Sequence, residues 1–515
     1  MVLGLHTRQV RIIIFCGVLL TASACSFHPE PLTMEELGQR SAADMNGMFT
    51  DQEPVKTEIT LYQAMARAIK YNLDYRLQLM EKSMAGKIKD ASHFDLLPRI
   101  AANAGYNNRS DYNGANSSAL TGPTKGEESL VTSTSQDKNI RTADITVMWN
   151  VLDFGIGYFR AQQNADSIMV SEEIRRKVIQ NIIRDVQYAY WRAAGSESLL
   201  DDMHDLLRRA EFAYESSQTI SGQNLQPRLE TLTYQRELLN NIRILWGLTQ
   251  ILVPAKTELA TLMNVKPGSR FSIMTPNERE RSIPEFTVPA MQLAEMAMLH
   301  RPELREQDYK SRISATEVKK TYLSMIPILN FHFGYNYDSN SYLYTNDWYS
   351  AGAQASLNLV NLVSGWSTLD VAENRQKVDE LRRQALAIGV LAQVHIALER
   401  FGLTKEEYLI TDRLEKVDTE LSAQMAAEKT AGRTTTLAMI QSQTEAMVSR
   451  VRRHIAYAEL QNAAGMIFNS LGIDLIPETV KADDVNTLAV ELEKSFAAWK
   501  DTVNTKPAEP KLSEL

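Results

Sequence analysis

The segment Pro98-Arg99-Ile100-Ala101-Ala102-Asn103-Ala104-Gly105-Tyr106-Asn107 decides the fold. The chain repeats its layout 229 residues later as Pro327-Ile328-Leu329-Asn330-Phe331-His332-Phe333-Gly334-Tyr335-Asn336. Proline, glycine, tyrosine and asparagine fall in register. Ile100, Ala102, Ala104 and Tyr106 share one side of the first segment, and Leu329, Phe331, Phe333, Tyr335 and Tyr337 share the same side of the second. Asn103 and Asn107, or Asn330, His332 and Asn336, take the other side, which is the period of an extended strand. About ten residues with one apolar and one polar face suit a strand crossing a bilayer around a wet lumen, and equally a half-buried strand of a soluble sheet.

Two further strands are expected. Ile145, Val147, Trp149 and Val151 alternate with Asp144, Thr146, Met148 and Asn150, while Ala351, Ala353, Ala355, Leu357 and Leu359 alternate with Gly352, Gln354, Ser356 and Asn358. Asn150 matches Asn358 at a spacing of 208, so the first loop, Asn107 to Asn139, is longer by 21 residues. A loop that accepts such an insertion belongs at a free surface. Tyr342, Tyr344, Trp348 and Tyr349 crowd the shorter loop, where aromatic rings suit the lipid headgroup level.

Everything else reads as helix. Thr60 is placed to cap a helix running to about Phe94, and the spacing of 229 also sets Asn72-Leu73 against Arg301-Pro302. From Tyr158 to Ser216 there is no proline and Gly195 is the one breaker, which predicts a helix of about 59 residues, on the order of 90 Å. Ile179, Ile183, Val186, Tyr190 and Ala193, then Leu200, Met203, Leu207 and Ala210, step by threes and fours like a coiled-coil seam. A return helix carries Leu232, Gln235, Leu239, Ile242, Trp246, Thr249 and Val253, with Pro254 expected to kink it. The second half has a long helix from Ser367 to Thr430 and a return seam of Leu437, Ile440, Thr444, Met447, Val451, His454, Ala458, Gln461, Gly465 and Phe468. Gly222 and Gly432 mark the two turns. No stretch after the N-terminus is expected to form a transmembrane helix.

The 515 residues carry a formal charge of −8, which argues against a nucleic-acid partner. Residues 1–24 combine Arg8 and Arg11, an apolar run from Ile12 to Leu20, and Ala22-Ser23-Ala24 before Cys25, the layout of a bacterial export signal. Those small residues resemble the lipobox of bacterial lipoproteins, which makes Cys25 the expected lipidated first residue; ordinary signal cleavage is the alternative. Cys16 would leave with the signal, so no disulfide forms within a mature subunit. The expected organisation is a signal peptide (1–24), an anchored linker (25–57), a first structural repeat (58–265), a linker (266–286), a second repeat (287–474) and a partly disordered tail (475–515).

Leu61-Tyr62-Gln63-Ala64 with Asn72, Leu97-Pro98 and Ile326-Pro327, Asn150-Val151-Leu152-Asp153-Phe154-Gly155 and Asn358-Leu359-Val360-Asn361-Leu362, and the Gly222 and Gly432 turns resemble the TolC family of outer-membrane efflux and secretion channels. The likeness runs from about Thr60 to Gly472. It implies a mainly α chain with long coiled-coil helices in a periplasmic α-barrel and four strands per chain in a 12-stranded β-barrel completed by a homotrimer. Independently, four strands cannot close around a lumen, so open edges in lipid call for further copies, two or three; the resemblance implies three.

On this reading the outer-membrane lipid meets Ile100, Ala102, Ala104, Tyr106, Ile145, Val147, Trp149, Leu329, Phe331, Phe333, Tyr335, Leu357 and Leu359, and the lumen meets Asn103, Asn330, His332 and Gln354. Gly222, Gly432, Arg433 and Thr434 would form the periplasmic tip that contacts an adaptor (membrane fusion protein), itself bound to an inner-membrane pump of RND or ABC type. The resemblance also implies acidic gate residues after the second glycine, but Arg433 to Gln441 contains none. Glu230 and Glu428, nearby, read as solvated helix faces.

No enzyme is expected. The eight histidines are scattered without metal spacing, Gly155 to Arg160 lacks the third glycine of a dinucleotide loop, and no Gly-x-Ser-x-Gly or phosphate loop occurs, so neither cofactor nor metal is expected. A lipid-anchored coiled-coil scaffold or adhesin without a pore is the competing function.

Overall fold

The computed structural model describes residues 31–55, 58–121, 124–128, 131–222, 228–274, 283–474 and 484–504. The expected signal and Cys25 lie outside them, as do residues 223–227. The chain divides into two units, Met1–Glu53 and Pro54–Leu515. The first holds helix α1 (Met34–Gly47), opened by a capping box between Thr33 and Glu36.

The second unit runs β1 (Glu58–Ile59), α2 (Leu61–Tyr71), α3 (Leu73–Ser92), β2 (Arg99–Asn108), β3 (Gly114–Ala115), β4 (Ser118–Thr121), β5 (Thr124–Glu128), β6 (Ser133–Thr134), β7 (Asn139–Asn150), α4 (Val151–Gly222) and α5 (Arg228–Leu262). It continues β8 (Ser272–Ile273), α6 (Ala290–His300), α7 (Pro302–Leu323), β9 (Ile328–Asp338), β10 (Asp347–Ser356), α8 (Leu359–Thr430), α9 (Thr436–Ser470) and α10 (Val485–Asn504). Helices α4 and α8 are 72 residues each, and α5 and α9 are 35 each. At 1.5 Å per residue the longer pair extends about 108 Å.

Both long helices begin sooner than the sequence suggests, for a local reason. Asn150 accepts hydrogen bonds from the backbone N–H of Leu152 and Asp153 at 2.9 and 3.1 Å, and Asn358 accepts from Val360 and Asn361 at 3.0 and 3.2 Å. Asn150 therefore ends a strand and caps a helix at once, and Asn358 caps its helix two residues beyond the end of β10. In consequence β10 stops at Ser356, Leu357 lies between strand and helix, and Leu359 is the first residue of α8, which corrects the expectation that these two leucines belong to the fourth strand. Val151 likewise opens α4. The helix expected from Thr60 to Phe94 breaks at Asn72, whose extended backbone lets its side chain cap α3 through the N–H of Asp74 and Tyr75.

Gly195 does not break α4. A Cβ there would come within 3.0 Å of the His454 Cβ, so the glycine permits close approach to α9. Nor does Pro254 end α5. The seam on α5 is partly rotated from the expected one: Thr249 is buried and Ile242 packs on the core beside Leu238, Leu245 and Leu252, whereas Leu232, Leu239, Trp246 and Val253 are 45–51% exposed. Along α4 and α9 the expected seams pack inward, with Met203, Leu207 and Val451 in one cluster and Ala210, Leu238 and Ile440 in another.

The main core lies midway along the long helices. There β1 pairs with β8, and Met65, Tyr71, Ile183, Tyr190, Met263, Leu293, Leu304 and Leu492 pack together. Beside it an ionic cluster ties α3, α4 and α7 to the segment after α9. Glu172 bonds Arg175 and Lys82, the latter at 2.7 Å; Arg176 bonds Glu173 at 2.8 Å and Asp474 at 2.9 Å, and Arg305 reaches Glu173 at 3.2 Å. Burial alone raises the Glu172 pKa, but the hydrogen bonds and charges of Arg175 and Lys82 outweigh it and hold the carboxyl at about 2. A depressed folded-state pKa stabilises the fold above the ordinary carboxylate range and loses that contribution as pH falls toward 2. Glu172→Gln should cost about 1 kcal/mol at neutral pH, since the partly exposed pair is screened, and the difference from the parent should shrink between pH 4.5 and 2. Denaturation of the refolded protein across that range measures it; a difference constant with pH would refute the assignment.

Candidate functional site

The four long strands form one antiparallel sheet in the order β10-β9-β7-β2. Its register gathers the alternating positions into continuous rows. Ile100 faces Val147, which faces Phe333, which faces Ala351; Ala102, Ile145, Tyr335 and Tyr349 form the next row, and Trp149, Phe331 and Ala353 another. Leu329 pairs with Ala355, and Ala104 with Ala143. Eleven of the thirteen residues expected against lipid thus share one face, Tyr106 closing it opposite Arg141, and the other two are Leu357 and Leu359. The face is left bare: Ile100 is 71% and Phe333 53% exposed. Its aromatic rings touch one another, Trp149 with Phe331 at 6.4 Å and Phe333 stacked on Tyr349 at 6.0 Å. Apolar area of this extent on no partner has to be covered by something other than water.

The opposite face is polar. Asn103 donates to the Asp144 carboxylate at 3.0 Å, and Asn336 donates to Ser350 Oγ at 2.9 Å. Asn150, Asn330 and Gln354 form one row, and Met148, His332 and Gly352 another. A Cβ on Gly352 would lie 2.2 Å from His332 Cε1, so the imidazole rests flat over this glycine. All four residues expected on the lumen side occupy this face. Among the described residues, β2 and β10 each pair along one edge only, leaving two open rows of backbone donors and acceptors.

The loops at one end of the sheet are built rather than loose. The segment expected as a plain polar loop contains the short pairs β3–β6 and β4–β5. Asn340, 6% exposed, accepts from Asp137 N–H at 3.1 Å and donates to the Ser135 carbonyl at 2.9 Å, while Ser341 N–H donates to Asp137 at 2.6 Å. These side-chain bonds fold the two loops together, and no apolar pattern in the sequence announces them.

At the far end α4 closes at Gly222 and α8 turns into α9 through Gly432. Gly432 has φ +71°, its N–H donates to Lys429 O at 3.0 Å, and Arg433 N–H donates to Glu428 O at 2.9 Å, a left-handed cap that satisfies the last carbonyls of α8. Thr435 then caps α9 through Ala438 N–H. Arg433 is exposed and Thr434 half-buried. Just inside this end a groove of about 1070 Å³ lies among Arg208, Phe212, Tyr234, Lys429 and Met439.

A feature that the sequence reading missed runs along α8. Leu381, Ile388, Ile396, Leu403, Ile410 and Val417 recur at about seven-residue spacing and are 58–74% exposed. Among the described residues α8 also contains an 18-residue window apolar and long enough to cross a membrane, only 22% of it buried, against the expectation that no such helix follows the N-terminus. Heptad spacing is the signal that would have found this seam; its outward direction could be read only once α9 had covered the other side.

No family model and no curated protein matches the chain. Among solved structures it is similar to the open state of the MtrE outer membrane channel of Neisseria gonorrhoeae (15% identity, 82% of this chain and 91% of that one, TM-score 0.63) and the CmeC outer membrane channel of Campylobacter jejuni (12%, 91% and 98%, 0.63). It is also similar to the outer-membrane channel OprN (16%, 80% and 89%, 0.60). The chain has the fold of these outer-membrane channels. The likeness spans 89–98% of each channel chain. Among the described residues no three His, Cys, Asp or Glu side chains gather to hold a metal. Replacing Gly432 by alanine should destabilise the α8–α9 turn by about 1 kcal/mol, because a Cβ strains the left-handed backbone. Faster amide exchange confined to residues near 428–438 would report it; unchanged exchange there would contradict the cap.

Proposed function

We propose that this protein is an outer-membrane channel of TolC type, the passive exit duct of a tripartite efflux or type I secretion system. The observation that carries the reading is a four-stranded sheet with a bare apolar face and two open edges, continuous through Asn150 and Asn358 with two helices of about 108 Å. In lipid every backbone group needs a partner, so the edges of β2 and β10 must be met by other copies of the chain. Three copies give twelve strands. The directions agree: β10 runs opposite to β2, as an antiparallel junction between copies requires.

In such a trimer the apolar face meets outer-membrane lipid and the face with Asn103, Asn330, His332 and Gln354 lines the lumen. The exposed seams on α8 and on α5 (Leu232, Leu239, Trp246, Val253) supply matching coiled-coil surfaces through which neighbouring copies close an α-barrel in the periplasm. Matched helix lengths in the two halves support an internal repeat, 58–265 and 287–474, joined by the linker 266–286. Cys25 would carry the lipid anchor in the periplasmic leaflet of the outer membrane after loss of residues 1–24. The turn at Gly432-Arg433-Thr434, with that ending at Gly222, forms the tip that meets a periplasmic adaptor and an inner-membrane pump of RND or ABC type. The tip lacks acids between Arg433 and Gln441, so its constriction is not an acidic ring of that segment.

Reconstituted trimers should conduct ions across a planar bilayer, whereas trimers that insert and never conduct would favour a scaffold without a pore. Phe331→Arg should destabilise the inserted barrel by about 2–4 kcal/mol and Asn330→Arg by much less. Equal tolerance of both would overturn the assignment of the faces.

A further inference from the structure

The start of α8 carries an apolar surface that neither the sheet nor the seam between copies explains. From Trp348 to Leu369 the chain holds no charged residue, although β10 ends at Ser356. Within the first turns of α8, Leu359 is 69%, Leu362 40%, Val363 77% and Trp366 60% exposed, while Gly365 and Leu369 turn inward against the rest of the fold. At 100° per residue these four exposed side chains occupy one side of the helix. The same side then carries Asp370, Glu373 and Lys377 on the following turns. Apolar character thus ends abruptly one turn below Trp366. The heptad seam starts on an adjoining side, through Val371 and Val378, and returns to this side only below the charged turns, at Leu381 and Ile388.

The sheet by itself is short for a membrane. Its apolar rows run from Leu329 to Tyr337, about 27 Å along the strand at roughly 3.4 Å per residue, hence about 21 Å of height at a tilt of about 40°. Outer-membrane barrels present an apolar band about 25 Å tall. The missing height of about 4 Å is supplied by the first turn of α8, and the second turn reaches the headgroup level of the same leaflet. The equivalent start of α4 exposes a narrower stripe, Val151 at 38%, Phe154 at 42% and Tyr158 at 57%, with Asp153 in its first turn and Arg160 paired with Asp95 at 3.0 Å on the other side.

We infer that the first two turns of α8, through Leu359, Leu362, Val363 and Trp366, are immersed in the lipid of the periplasmic leaflet, with Asp370 marking the level of water. This rests on the reading of the sheet as a membrane barrel.

The full-length assembled protein, reconstituted in vesicles of phosphatidylcholine brominated on the acyl chains, tests this by tryptophan fluorescence. The contribution of Trp366 is the difference between parent and Trp366→Phe, and that of Trp149, on the apolar face of the sheet, is obtained from Trp149→Phe. Brominated chains should quench both contributions at least twofold relative to unbrominated vesicles, and aqueous iodide should quench neither. Quenching of Trp149 by bromine with Trp366 open to iodide, or shielded from both quenchers, would overturn the inference and leave the barrel standing. Escape of both tryptophans from bromine would overturn the barrel reading and the inference with it.

Discussion

Unpaired backbone at two sheet edges is the constraint on which the structure depends. Every other strand edge in the sheet is hydrogen-bonded within the chain, and the flanking strands β2 and β10 are ten residues each, long enough to template pairing with another chain. Soluble proteins blunt such edges with charge, proline or bulges. Here the edges hold alanine, glycine and serine on β10, with charge confined to Asp347 at its start. The sheet is therefore built to be continued. Its apolar face says what medium surrounds it, and the polar face says what passes behind it.

The helices follow from the same logic. Each long helix starts at an asparagine at or within two residues of the end of a strand, so the direction of the sheet sets the first turns of α4 and α8. Inside one copy, the return helices α5 and α9 cover only part of each long helix. Exposed heptads on α8 and on α5 remain, and they point to the same missing partners as the sheet edges. The mid-helix core, with its ionic cluster around Glu172 and Arg176, fixes the two helical hairpins relative to the short helices α2, α6 and α10. Rigid attachment there would let the tip move as a unit.

Much of this was legible from residues alone, because period-two alternation in Ile100 to Tyr106 and Leu329 to Tyr337 reports a strand whatever surrounds it. The inward seams of α4 and α9 were equally readable. Boundaries were not, since an asparagine inside an alternating run looks like one more polar strand residue until its side chain is seen to cap a helix, as at Asn358. The seam on α5 was misread because apolar residues lie on two adjacent sides of that helix, and only packing distinguishes Leu238 and Leu245 from Leu239 and Trp246. Side-chain bonds such as Asn340 to Ser135 and Asp137 leave no periodic trace at all. The apolar and polar faces of the sheet came from the alternation, while the direction of the α8 seam required its neighbours.

The most direct measurement is disulfide cross-linking between edge strands of different copies in the outer membrane, using cysteines placed in turn along β2, such as Ala102→Cys, and along β10, such as Ala353→Cys. The account predicts that one register of pairs links β2 of one copy to β10 of the next and yields a ladder that ends at three chains. An inserted protein whose edge cysteines never join separate copies, or whose ladder ends at two or runs past three, would contradict it.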